Sequence, residues 1–94
     1  MKFETYKVAD VSTAYVEEAD LPLLLDSQAP NHLATTDDLG GTFFCTPAKD
    51  ELEDFAKKAG QFGLSERFVS IIHNAVAQRI RYVRFDADGG DSTE

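Results

Sequence analysis

Ninety-four residues and 10.4 kDa suffice for one hydrophobic core and are too few for two. Hydrophobic residues at 43% and charged residues at 28% are ordinary globular values and argue against disorder through most of the chain. Seventeen acidic against nine basic residues give a net charge of −8, which argues against direct binding to nucleic acid or to an anionic membrane, because both require a basic footprint.

In chain order, Lys2 to Val8 mixes β-branched and aromatic residues with charges and predicts a strand, and Ser12 to Val16 predicts a second short one. Glu17-Glu18-Ala19-Asp20 reads as a helix start, with Asp20 as cap and Pro22 in the first turn. That helix is expected to run to about Ser27, before Pro30. Asn31–Thr36 and Thr42–Thr46 form a predicted hairpin around Asp37-Asp38-Leu39-Gly40-Gly41, and the adjacent Phe43 and Phe44 are expected on opposite sheet faces. Thr46 as N-cap, Pro47 after it, and Asp50 and Glu51 near the positive dipole end predict a helix carrying Leu52, Phe55, Ala56 and Ala59, with Gly60 as its stop. Ser65 caps the next helix, Leu64 and Val69 are placed as its hydrophobic staple, and Phe68, Ile72, Ala75 and Val76 form its buried stripe. Ile80 to Asp86 alternates as a strand, with Val83 and Phe85 on one face and Tyr82 and Arg84 on the other.

These elements predict a single small α+β domain over residues 1–86, a mostly antiparallel sheet of about three to five strands packed by two main helices and one short helix. Residues 87–94 are expected to form a flexible acidic tail.

Three runs carry a resemblance over nearly the whole chain: Lys7-Val8-Ala9-Asp10-Val11-Ser12-Thr13-Ala14-Tyr15, Asn31-His32-Leu33-Ala34-Thr35-Thr36-Asp37 and Tyr82-Val83-Arg84-Phe85-Asp86-Ala87-Asp88-Gly89. They are similar to a family of small acidic proteins of unknown function encoded on bacterial plasmids and integrative mobile elements. The resemblance implies a genomic setting and transfers no active-site residue.

Catalytic and metal chemistry finds little support. Cys45 is the only cysteine, so no intramolecular disulfide forms and a reducing cytoplasm is the expected location. The N-terminus carries no apolar stretch of the signal-peptide kind, and the longest apolar run falls far short of the ~20 residues of a membrane span. His32, Cys45 and His73 are separated by 13 and 28 residues, with none of the close pairs that zinc sites use. A Cys45–histidine dyad would be assembled in space and spacing does not exclude it, but a thiol within a strand is usually inert. Asp86-Ala87-Asp88-Gly89-Gly90-Asp91 opens like a calcium loop, yet Asp91 stands where that loop needs glycine. No phosphate-cradling glycine motif or hydrolase signature occurs, so no catalytic, cofactor-binding or metal-binding residue is assigned.

Charge is distributed unevenly. Between Val8 and Ala48 there is no lysine or arginine, while Asp10, Glu17, Glu18, Asp20, Asp26, Asp37 and Asp38 supply seven negative charges. Such a one-signed segment can steer a basic partner. The candidate partner-binding residues are therefore Glu17, Glu18 and Asp20, expected exposed at a helix start, and Asp37 and Asp38, expected exposed at a hairpin tip. The leading expectation is a non-catalytic interaction or accessory module facing a basic protein surface, and a homodimer is also compatible. The alternatives are a DNA-mimic or anti-defence inhibitor of a nucleic-acid-binding enzyme, and a small enzyme using Cys45.

Overall fold

The computed structural model describes residues 2–36 and 41–86. Asp37 and Asp38, expected at a hairpin tip, and the expected tail at 87–94 lie outside the described residues. Four strands, β1 (Val8–Ser12), β2 (His32–Thr36), β3 (Gly41–Cys45) and β4 (Tyr82–Asp86), form one sheet in the order β1-β4-β3-β2. β2–β3 and β3–β4 are antiparallel, while β1 runs parallel to β4 with Val8 opposite Tyr82 and Ser12 opposite Asp86. With α1 (Leu21–Leu24), α2 (Leu52–Phe62) and α3 (Glu66–Ala77), the expected α+β domain is present, its sheet mixed but mostly antiparallel.

The helix-facing side of the sheet follows the strand period. Phe44, Val83 and Phe85 are fully buried and meet Phe68 and Ile72 of α3, the central residues of its apolar stripe. The Phe44 and Phe85 rings lie 5.3 and 5.5 Å from that of Phe68, and Phe55 of α2 packs on Phe68 from the other side at 6.1 Å. Phe43 points to the opposite face and is half-buried, as the alternation requires.

Four local expectations are corrected. Residues 2–7 are not a strand; the sheet begins at Val8. Ser12–Val16 is not a strand either, because the Ser12 hydroxyl accepts from the Ala14 N–H (3.1 Å) and turns the chain into a single 3₁₀ turn, Thr13–Tyr15. The first helix is shorter than expected: a 3₁₀ turn over Glu18–Asp20 leads into α1, which ends at Leu24. Gly60 does not stop α2. Phe62, half-buried against the core, keeps the helix going until Gly63 takes the left-handed conformation (φ 109°) that closes it.

Thr46 is likewise not an N-cap. Its N–H donates to the Arg81 carbonyl (2.9 Å), and its hydroxyl donates to the carbonyls of Ile80 (2.9 Å) and Arg81 (3.0 Å). It therefore prolongs the β3–β4 ladder, and the 3₁₀ turn Lys49–Glu51 leads into α2 without a side-chain cap. Ser65, in contrast, caps α3 as expected, its Oγ accepting from the Phe68 N–H at 3.3 Å.

Two stability measurements follow. Ile72→Ala opens a hole at a fully buried position and is expected to cost about 2–5 kcal/mol in urea unfolding. Thr46→Ala is expected to cost about 1 kcal/mol, with hydrogen exchange accelerating at the β3–β4 junction and unchanged at the start of α2. Faster exchange at Lys49–Glu51 instead would restore the capping role.

Candidate functional site

The five acidic candidates do not form one exposed cluster. Asp20 is fully buried, which corrects its assignment to a binding surface. Its Oδ1 accepts from the Ser65 N–H (2.9 Å), and its Oδ2 accepts from the Ser65 hydroxyl (2.5 Å) and the Glu17 N–H (3.1 Å). Three donors converge on one carboxyl group, which is what makes burial of so polar a side chain tolerable. Because Ser65 Oγ also holds the Phe68 N–H, Asp20 sits behind the N-cap of α3, where the helix dipole favours negative charge. Asp20 thus anchors the 17–20 turn to the core helix and offers nothing to a partner.

Glu17 and Glu18 are exposed on that anchored turn. Glu17 forms a 3.5 Å ion pair with Arg67 of α3, with both side chains more than half exposed, so the pair contributes little to stability. The Asp20 anchor fixes the backbone from which both glutamates project.

The residues weighed for catalysis do not assemble. His32 lies edge-on to Phe44 (5.3 Å), with Nε2 at 3.1 Å from Thr35 Oγ1, while His73 is exposed on α3. Cys45 is half-buried rather than sealed in the core, and its Sγ contacts the Thr46 carbonyl at 3.5 Å. Among the described residues no three His, Cys, Asp or Glu side chains group as metal ligands.

On the open sheet face, two carboxyl groups share one guanidinium. Arg84 Nη1 donates to Asp10 Oδ1 (2.8 Å) and Nη2 to Asp86 Oδ2 (2.5 Å), across neighbouring strands β1 and β4. The hydrogen bond that Arg84 donates to Asp10 holds the Arg84 pKa above its ordinary value, burial working against it and Asp86 with it. The guanidinium also covers Phe43 (5.9 Å) and lies where a Cβ on Gly41 would come within 2.6 Å of its Nε, so glycine there admits the Arg84 side chain. Farther along, Arg81 stacks on Tyr6 (5.1 Å) and Tyr82 (5.8 Å).

The structure adds one feature that the sequence reading missed. A groove of about 430 Å³ runs between β1 and α3. Ala9, Val11, Val83 and Ile80 form its floor, Ile71 and Ala75 its helix side, Ser70, Asn74 and Gln78 its polar rim, and Tyr15 and Arg67 also line it. The signal was present: Ile71 beside Ile72 widens the apolar face of α3 beyond the stripe that the core occupies, and Ala9 and Val11 alternate along β1.

No protein-family model, curated protein or solved structure matches this chain. Among the described residues no helix is long and apolar enough to cross a membrane.

The Asp20 anchor is testable by a double-mutant cycle. Asp20→Ala is expected to destabilise by about 3 kcal/mol, since it strands the donors of Ser65 and Glu17. With Ser65→Ala, the coupling energy from denaturant unfolding is expected to be about 1–3 kcal/mol; strict additivity would show that the two side chains do not act as a unit.

Proposed function

We propose that this chain is a non-catalytic protein-interaction module that meets a basic surface of a partner protein. The observation that carries the reading is the one-signed segment from Val8 to Ala48, which has no lysine or arginine. Of its acids, Asp10, Glu17, Glu18 and Asp26 are exposed. Anchoring through Asp20 supports the reading, because carboxylates held on a fixed turn lose less conformational freedom on binding than carboxylates on a loose one. The bacterial mobile-element setting implied by the resemblance, and an accessory role there, belong to the same proposal.

The experiment is capture from a bacterial host lysate on immobilised protein, followed by association kinetics with the captured partner. The double variant Glu17→Lys with Glu18→Lys is expected to fold normally, because it disturbs only exposed side chains. It is expected to slow association roughly tenfold at low salt while changing dissociation less, as electrostatic steering requires. The difference should vanish as the Debye length shrinks from ~10 Å at 0.1 M to ~3 Å at 1 M salt. Capture unaffected by salt, at the same association rate for the variant, would remove the acidic surface from the function.

A further inference from the structure

We infer that the groove between β1 and α3 receives an extended segment of the basic partner, added as a fifth strand beside β1, with apolar side chains alternating with basic ones; this deepens the proposed interaction and rests on it. Three observations converge on this occupant.

The first is the strand edge. β1 pairs with β4 on one side and, among the described residues, has no strand on the other. Ahead of Ser12, which is engaged elsewhere, such an edge is a template for an incoming strand. β2, at the opposite edge, is irregular between His32 and Ala34, a distortion that weakens such pairing. The regular edge is therefore β1.

The second is the groove beside that edge. Its volume of about 430 Å³ falls within the roughly 300–1,000 Å³ of ligand-sized sites. Ala9 and Val11 project to the groove side of β1, and Val11, Ile71 and Ile80 remain only partly buried there. A strand laid along β1 would send every second side chain over these residues and under the rim formed by Ser70, Asn74 and Gln78. Main-chain hydrogen bonds would supply affinity, and the apolar groove would select the alternate side chains.

The third is charge. The intervening side chains of the added strand would fall on the open sheet face, the side of Asp10. There the Asp10–Arg84–Asp86 trio holds two carboxyl groups against one guanidinium and keeps a net negative charge. Glu18 and the Arg67-paired Glu17 follow β1 in the chain and add further acid near Tyr15. Basic side chains on the alternate positions complement this surface, and acidic ones would oppose it.

The probe is a short capped peptide alternating valine and lysine, titrated into the full chain with amide shifts and hydrogen exchange as readouts. One control has the same residues in block order, and a second replaces lysine by glutamate. Expected are slower exchange at Val8–Val11, shifts at Ile71 and Asn74, and at least tenfold weaker binding of both controls. Asn74→Trp, at an exposed rim position, is expected to block the groove and weaken the alternating peptide at least tenfold without unfolding the protein. Equal binding of the alternating and block peptides, sensitive to Glu17→Lys with Glu18→Lys but not to Asn74→Trp, would overturn the groove while leaving the acidic interaction surface standing. Equal binding of the glutamate peptide would overturn the basic selectivity, and no binding of any peptide would overturn the inference. A dimer of the free protein with β1 already protected would assign the edge to a second copy and overturn it as well.

Discussion

A single buried carboxyl group sets the arrangement of the N-terminal half. Asp20 takes three hydrogen bonds, one from its own turn and two from Ser65, 45 residues along the chain, so the turn after β1 cannot move without disturbing the cap of α3. α3 in turn carries Phe68 and Ile72, on which the sheet packs. The cost of removing a carboxyl group from water is offset only because every contact is donated to it, and because it lies behind a helix N-terminus. The position of β1 relative to α3, and with it the width of the groove, depends on this contact.

The two faces of the sheet solve the burial problem differently. On the helix side, Phe44, Phe68 and Phe85 pack as an aromatic cluster, with rings 5.3–5.7 Å apart. On the other side, among the described residues, no helix covers the strands. Arginine side chains do that work: Arg84 lies over Phe43 and Gly41, and Arg81 over Tyr6 and Tyr82. Guanidinium groups shield apolar area while remaining hydrogen-bonded, and in Arg84 that shielding is fixed by Asp10 and Asp86. Arg81 and Arg84 sit just before and within β4, an interior strand of the sheet whose residues face both sides.

How much of this was legible in the sequence depended on the range of each interaction. Ser65 as a cap, the stripe of α3 and the alternation of β4 rest on neighbours within a few residues, and each appeared as expected except at Val76, which is only half-buried and lies outside the core that Phe68, Ile72 and Ala75 join. Thr46 and Asp20 also bear capping side chains in a capping context, but both bond across the fold: Thr46 reaches residues 34 and 35 positions away, and Asp20 reaches Ser65. A local pattern cannot distinguish an oxygen that caps its own helix from one claimed by another segment. Ser12–Val16 failed for the opposite reason. Its β-branched residues outweighed, in the reading, a serine hydroxyl two residues from the amide it captures. The groove was not legible because the stripe Phe68, Ile72, Ala75 and Val76 left Ile71 without a role, and Ile71 lines the groove from the flank of α3.

Counting acids therefore overstates what a partner meets. Asp20 is removed to the interior, Asp10 shares Arg84 with Asp86, and Glu17 is paired with Arg67, so three of the acids ahead of the hairpin are wholly or partly answered within the chain. What remains exposed on β1 and the turn that follows it includes Asp10, Glu17 and Glu18. An apolar groove lies beside that same edge. Long-range attraction without shape gives fast encounter and little discrimination, and an apolar groove without charge gives the reverse. Placing the two on adjoining surfaces, with the geometry of both fixed by Asp20, is what would allow a small domain with one core to recognise a particular basic segment rather than any cation.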